Sequence, residues 1–180
     1  EAEAVASLQH PNIVAIHEVG EHEGQRYFSM DYIAGKSLTE LVRDNPLSAR
    51  RATGYLKTIA EAIHYAHQRG ILHRDLKPSN VLIDEFDQPR ITDFGLAKQL
   101  TGDPELTPTG HVLGSPSYMP PEQADARRGS LGAPSDVYSL GAILYHLLTG
   151  RPPFLAESLE DTLRQLLDKE PVAPRLLNIS

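Results

Sequence analysis

Four polar residues near the middle of the chain carry groups that could act together in catalysis. Asp75 and Lys77 stand two residues apart, Asn80 follows three residues later, and Asp93 lies further along the chain. A carboxylate can accept a proton and an ammonium can hold an anion. Amide and carboxylate oxygens are the hard ligands that Mg²⁺ prefers. If these groups meet, a base, a cation and a metal site together point to phosphoryl transfer.

The segments around these residues predict a β-hairpin that brings Asn80 and Asp93 together. Residues 81–83 and 90–92 are short β-prone runs, and the polar residues 84–89 between them favour a turn. Asn80 precedes the first strand and Asp93 follows the second. Both side chains are therefore expected at the open end of the hairpin, opposite one another.

Two longer helices are predicted on either side of the hairpin. Ser48 is the expected N-cap of an amphipathic helix that Gly70 ends. Ser135 is the expected N-cap of a second helix, which runs through Thr149 and is stopped by Gly150. This second helix is apolar around most of its circumference, which predicts burial on all sides.

The remaining segments are shorter or less regular. Residues 1–8 predict a short helix, and residues 13–16 and 27–33 predict strands. Residues 99–132 are rich in Gly, Pro, Ser and Thr and show little periodicity. Because a plain connection of that length is uncommon, the segment is expected to be functional.

Composition restricts the classes of protein that fit. The 180 residues are 40% hydrophobic, which predicts one domain, and the net charge of -7 argues against a nucleic-acid partner. The absence of cysteine excludes disulfides and cysteine-ligated zinc and fits an intracellular protein. The most apolar run, residues 140–148, is far shorter than the roughly 20 residues that cross a bilayer, so no membrane segment is predicted within this chain.

Several motifs, in order along the chain, resemble those of protein kinases. Residues 73–80, HRDLKPSN, resemble the catalytic loop, and residues 93–95, DFG, resemble the magnesium-binding motif. Residues 114–122 resemble the end of the activation segment, with Ser115 where most relatives have Thr and Pro120 where most have Ala. The lysine at position 77 of this loop resembles the one found in serine/threonine kinases. The resemblance therefore implies transfer of the ATP γ-phosphate to Ser or Thr hydroxyls of proteins.

The resemblance also implies the fold class, α+β with the two-lobed architecture of protein kinases. The whole chain, 1–180, is expected to be a partial kinase domain. Residues 1–33 match the remnant of the small lobe and the hinge, namely helix C with the fourth and fifth strands of the family. Residues 34–180 match a mostly helical large lobe without its last helices. Glu1 stands where the family has its helix C glutamate, and no Gly-rich loop or strand-three lysine occurs in the 180 residues. The isolated chain is therefore expected to have little or no activity. Glu122 is expected to be unpaired, because the last helices of the family normally supply its arginine partner.

The resemblance assigns site roles to residues that match the family motifs. Asp75 matches the catalytic base, Lys77 the loop lysine, and Asn80 with Asp93 the ligands of Mg²⁺, with Mn²⁺ as an alternative. Residues expected to bind ATP are Asp31 and Ile33 through their backbone, Leu82 beneath adenine, and Lys77, Asn80 and Asp93. Met30 would line the back of the adenine pocket. The stacked apolar column of the family matches Val5, Ile16, His73 and Phe94, and Asp136 matches the anchor of the catalytic loop.

Regulation and location follow from the same resemblance. Arg74 implies that a phosphate on the activation segment orders that loop, with Thr107 and Thr109 as candidate autophosphorylation sites. Their spacing and residues 119–124 are most similar to bacterial members of the family. The expected location is cytoplasmic, including the case of a parent protein anchored in the membrane with its kinase domain in the cytoplasm.

Simpler interpretations stand beside these. A lone Asp in a loop is usually a turn former, and only its neighbours favour a catalytic Asp75. His64 and His67 lie three apart on a helix, but core packing or solvent contact is favoured over zinc binding. A non-catalytic kinase-like scaffold is the alternative to an active kinase, and the intact Asp75, Lys77, Asn80 and Asp93 favour catalysis.

Overall fold

The structure is a computed structural model that describes residues 2–23, 25–94 and 116–177. Its helices and strands are mixed along the chain, which confirms the α+β class. The helices are α1 (Ala2–Ala6), α2 (Leu38–Leu41), α3 (Ala49–His67), α4 (Pro121–Ala124), α5 (Ala133–Thr149) and α6 (Leu159–Asp168). The strands are β1 (Ile16–His22), β2 (Gln25–Met30), β3 (Gly35–Ser37), β4 (Val81–Asp84) and β5 (Pro89–Ile91). Single 3₁₀ turns cover Pro78–Asn80, Pro116–Tyr118, Ala126–Arg128 and Pro174–Leu176.

The predicted hairpin is confirmed as β4 and β5. The two strands pair antiparallel with Val81 opposite Ile91, and β3 pairs antiparallel with the other edge of β4. Asp84 closes the turn, because its Oδ1 accepts hydrogen bonds from the backbone N–H groups of Phe86 and Gln88, each at 2.9 Å. This carboxylate supplies the local bonds that fix the hairpin register.

The strand predicted over residues 13–16 is wrong in its placement. The first strand of the β1–β2 pair begins only at Ile16. Ile13 instead forms an isolated parallel bridge with Ile91, and Val14 N–H donates to the Ile91 carbonyl at 2.8 Å. The β-prone run therefore pairs with a strand far away in sequence. The second predicted strand, residues 27–33, is shifted to Gln25–Met30.

The helix boundaries follow the predicted caps at three of four positions. Ser48 caps α3, since its Oγ accepts a hydrogen bond from Arg51 N–H at 3.4 Å, and Gly70 follows the helix with φ +73°. Gly150 ends α5 in the left-handed region with φ +75°. Ser135 is not the N-cap of α5 as predicted. Gly132 is the cap, and Ser135 lies inside the first turn, where its Oγ accepts from Gly132 N–H at 3.1 Å.

The core lies between α3, α5 and the β3–β4–β5 sheet. Its fully buried side chains include Ile59, Ile63, Leu76, Ile91, Ile143 and Leu147. The prediction that α5 is buried on all sides is wrong on one face, where Val137 is 60% exposed. A smaller cluster of Met119, Phe154 and Leu166 packs α6 against the segment after residue 115. Within the described ranges, no helix combines the length and apolarity that crossing a bilayer requires.

Candidate active site

The loop between α3 and β4 brings three of the predicted site residues together. Lys77 Nζ lies 2.8 Å from Asp75 Oδ2, with both side chains about three-quarters buried at 23% and 24% exposure. Asn80 Nδ2 donates to the Asp75 carbonyl at 3.0 Å and lies 3.4 Å from Asp75 Oδ2. The carboxylate of Asp75 is thereby held in one orientation by a cation and an amide. Partial burial strengthens this charge pair relative to a surface pair.

Asp136 at the start of α5 fixes the backbone of this loop. Its carboxylate is 1% exposed and accepts hydrogen bonds from His73 N–H at 2.9 Å and Arg74 N–H at 3.0 Å. Arg74 has φ +64°, a left-handed conformation that is unfavourable for a residue with a side chain. The anchoring role that the resemblance implied for Asp136 therefore corresponds to two direct backbone contacts.

His67 also contacts Asp136, which the sequence interpretation did not anticipate. Its Nε2 lies 2.7 Å from Asp136 Oδ2, and its side chain is 14% exposed. The predicted choice between core packing and solvent contact therefore missed a specific polar partner. No local pattern pointed to it, because the two residues are 69 positions apart.

Asp93 is the second residue after β5, at the open end of the hairpin. Thr92 N–H donates to the Asn80 carbonyl at 3.0 Å, so Asp93 is the residue next to the one that pairs with Asn80. Asp93 is exposed and has φ +59°, a left-handed conformation that turns the chain two residues after the strand.

The donor set at the hairpin mouth fits a magnesium ion. Asn80 Nδ2 donates to the Asp75 carbonyl, so the amide oxygen is the atom suited to bind a metal, and Asp93 adds a carboxylate. Among the described residues, no group of three or more His, Cys, Asp or Glu side chains could hold a metal ion. An amide with one carboxylate suits Mg²⁺, which keeps several waters and binds substrate phosphates, better than it suits zinc.

The residues expected around adenine lie on the segment after β2 and on β4. Asp31 N–H donates to the Ala15 carbonyl at 3.0 Å, and its carboxylate lies 2.7 Å from His17 Nε2. Ile33 and Leu82 are both half-buried. Met30 Sδ lies 3.5 Å from Thr92 Oγ1, so the residue expected at the back of the adenine pocket lies next to the end of β5.

The predicted apolar column is partly visible as packing around His73. The ring centroids of His73 and Phe94 are 4.6 Å apart, and Val5 and Ile16 pack in the same core cluster as Phe94. Burial lowers the pKa of His73, although the carboxylates of Asp136 and Asp75 act in the opposite direction. A neutral imidazole is the form that an apolar environment favours.

A pocket lies beside Asp75 and extends toward the segment before α4. Its lining residues come from the loop, from the segment that leads into α4, and from α4 and α5. They are Arg74, Asp75, Leu76, Lys77, Tyr118, Met119, Pro120, Gln123 and Ser139. The sequence interpretation gave no individual site role to Tyr118, Met119, Gln123 or Ser139. Their proximity to residues 74–77 arises from tertiary packing.

Glu122 has a hydrogen-bonding partner, contrary to the prediction that it would be unpaired. Ser135 Oγ donates to Glu122 Oε1 at 2.6 Å, which connects α4 to the first turn of α5. Other predicted positions lie outside the described residues: Glu1, Gly95, Thr107, Thr109 and Ser115.

Comparison with known proteins agrees with these motifs. The family model described as "Protein kinase domain" matches residues 1–177. The chain is 44% identical over 177 residues to the serine/threonine-protein kinase PrkC of Bacillus subtilis, a match that covers 97% of this chain and 27% of PrkC. It is 38% identical over 179 residues to the serine/threonine-protein kinase PknB of Mycobacterium leprae, covering 97% of this chain and 28% of PknB.

A further similar protein is the PknB of Mycolicibacterium smegmatis, which is 40% identical over 181 aligned positions. That alignment covers 97% of this chain and 28% of the relative. The chain thus spans somewhat more than a quarter of the length of the curated relatives that it matches.

Proposed function

This chain belongs to the protein kinase family, and from that premise we propose that its parent protein transfers the γ-phosphate of ATP to Ser or Thr hydroxyls of protein substrates. The observation that carries the proposal is the arrangement of Asp75, Lys77 and Asn80 at the mouth of the β4–β5 hairpin, with Asp93 two residues after β5. The similar proteins named above are all serine/threonine-protein kinases, which supports the choice of hydroxyl.

Asp75 is the proposed proton acceptor for the substrate hydroxyl. As the hydroxyl oxygen forms its bond to the γ-phosphorus, the bond between that phosphorus and the bridging oxygen of ADP breaks, and the hydroxyl proton passes to the Asp75 carboxylate. Lys77 lies 2.8 Å from that carboxylate, where an ammonium can also stabilise negative charge on the transferred phosphoryl group. Asp75 therefore acts on the attacking hydroxyl, and Lys77 acts on the phosphoryl group that is attacked.

Asn80 and Asp93 are the proposed ligands of Mg²⁺, or of Mn²⁺ in its place. A bound divalent ion would neutralise phosphate charge during transfer. The hydrogen bond from Asn80 Nδ2 to the Asp75 backbone carbonyl links this proposed metal site to the proposed base. For the adenine of ATP we propose the backbone of Asp31 and Ile33, with Leu82 beneath the ring.

The activation segment and the location are further parts of the proposal. Thr107 and Thr109 are proposed autophosphorylation sites whose phosphate would pair with Arg74. The kinase domain is proposed to be cytoplasmic, since that is where ATP and the protein substrates of such kinases meet.

The decisive experiment compares phosphate transfer by the wild-type parent protein and its Asp75→Asn variant. Transfer of ³²P from labelled ATP to protein should fall by at least about a hundredfold in Asp75→Asn, because loss of general base catalysis typically costs 10²- to 10⁴-fold. Binding of ATP, measured by fluorescence of a labelled analogue, should change little, since the base contacts the hydroxyl and not the nucleotide.

Asp44→Asn is the matched control, because Asp44 is exposed and belongs neither to the loop nor to the hairpin. It should transfer phosphate at the wild-type rate. A wild-type protein that binds ATP without any transfer would favour the scaffold alternative, and equal rates for wild type and Asp75→Asn would refute the role of Asp75.

A further inference from the structure

Tyr118 lies in the wall of the pocket that faces the loop carrying Asp75. The loop side of the pocket is formed by residues 74–77, and the opposite side by residues 118–120 and Gln123. Because Asp75 itself lines the pocket, this wall borders the position that a substrate hydroxyl would take beside the proposed base. The inference below rests on the proposed function of that base.

Tyr118 is held at two points by the same face of α5. Ser139 Oγ donates to the Tyr118 carbonyl at 2.9 Å, and the Tyr118 hydroxyl lies 2.5 Å from His146 Nδ1. The Tyr118 and His146 rings are nearly parallel, at 8°, with centroids 5.9 Å apart. Ser139 and His146 are seven residues apart, which is two helical turns, so both project from one side of the helix.

The protonation states decide which of the two side chains donates the hydrogen bond. Burial lowers the pKa of His146, and burial raises the pKa of Tyr118. At neutral pH the imidazole is therefore uncharged and the phenol keeps its proton. The Tyr118 hydroxyl then donates and Nδ1 accepts, which leaves the His146 proton on Nε2.

We propose that His146 is a positioning residue for the protein substrate, which acts by fixing Tyr118 as the wall of the acceptor pocket. His146 is 9% exposed and does not line the pocket itself, so its effect passes through the hydroxyl of Tyr118. Ser139 fixes the backbone of the same residue, and together the two contacts restrict both ends of the tyrosine.

Three variants separate the contact from packing. Tyr118→Phe removes the donor and keeps the ring. His146→Leu removes the acceptor, whereas His146→Asn places an amide oxygen near the position of Nδ1. The matched control is Tyr145→Phe, because Tyr145 is a buried neighbour on α5 whose hydroxyl donates to the Val172 carbonyl at 2.8 Å, away from the pocket.

The assay uses the full-length parent protein and a pool of fluorescent peptides with a central threonine and randomised flanking residues. Tyr118→Phe and His146→Leu should each raise the KM for the peptide pool about three- to tenfold, the range expected for one lost hydrogen bond. The KM for ATP should be unchanged, His146→Asn should recover most of the effect, and Tyr145→Phe should leave both values at wild type. The double variant Tyr118→Phe/His146→Leu should be no worse than either single variant, since both remove one contact.

Peptide binding is measured in parallel by anisotropy with a non-hydrolysable ATP analogue, so that the pocket is tested independently of transfer. A peptide KM that stays at wild type in Tyr118→Phe, in a protein that transfers phosphate, overturns the positioning role and leaves the proposed function intact. Equal increases in the KM for peptide and the KM for ATP, also seen in Tyr145→Phe, would indicate a purely structural effect and overturn the positioning role. A wild type that binds peptide in a Tyr118-dependent way without transfer refutes the proposed function alone, and one that neither binds nor transfers refutes both.

Discussion

Replacing Asp136 with alanine should lower the free energy of unfolding and should also displace the loop that carries Asp75. The carboxylate accepts hydrogen bonds from His73 N–H and Arg74 N–H and contacts His67 Nε2 at 2.7 Å. Alanine leaves these donors without their acceptor in a region where Asp136 was 1% exposed and His73 fully buried. Water cannot easily replace the lost oxygen atoms there.

The size of the effect follows from the number of stranded donors. An unsatisfied buried N–H costs about 1–3 kcal/mol, and Asp136 accepts hydrogen bonds from two such groups besides contacting His67. The terms overlap, so the free energy of unfolding should fall by about 3–5 kcal/mol. Asp136→Asn keeps one acceptor oxygen but turns an NH₂ group toward a donor, and should cost about half as much.

The catalytic effect follows from the strained backbone of Arg74. Its φ of +64° persists only while neighbouring contacts hold it, and Asp75 is the next residue. A shift of about 1 Å in a catalytic group costs about a hundredfold in rate, so kcat for phosphate transfer should fall by about that factor even below the unfolding transition.

The measurement is urea unfolding followed by far-ultraviolet circular dichroism on the parent protein, together with ³²P transfer at low urea. Asp168→Ala is the control, because Asp168 is exposed at the end of α6, and it should match wild type in both assays. An Asp136→Ala protein with the wild-type unfolding midpoint and kcat would show that the two backbone contacts are dispensable.

Two further predictions concern stability. Burial lowers the pKa of His73 and His146 in the folded protein, whereas the unfolded side chains titrate near 6.5, so the unfolded state binds more protons in acid. The free energy of unfolding should therefore fall as the pH drops below about 6.5, by up to about 1.4 kcal/mol per pH unit for each histidine. His146→Asn should reduce this dependence of the unfolding free energy on pH, measured by urea unfolding at several pH values. An identical slope would contradict the assignment for His146. Gly150→Ala should lower the melting temperature by an amount equivalent to about 1 kcal/mol, since φ is +75°, whereas the control Gly54→Ala, where an added Cβ meets no atom within 4 Å, should raise stability slightly. Equal melting temperatures for Gly150→Ala and wild type would show that the left-handed cap carries no strain.

Several local features of the fold were predictable because they depend on neighbouring residues. Ser48 reaches a backbone N–H three residues away, and Gly150 adopts a conformation that few other residues tolerate. The hairpin was predictable for the same reason, since its turn is closed by Asp84 within a few residues. The failures at Ser135 and at residues 13–16 arose where a tertiary or neighbouring contact outweighed the local preference.

The sequence by itself was enough to propose the catalytic chemistry, because residues 73–80 and 93–95 already contain the groups proposed as base, cation and metal ligands. Only the tertiary structure decided what holds that chemistry in place. The contacts of Asp136 with His73, and of Tyr118 with His146, join residues 63 and 28 positions apart. These contacts depend on how the loop after α3 and the turn at Pro116–Tyr118 pack against α5. Residue spacing does not indicate such contacts, and only the family resemblance pointed to the one made by Asp136.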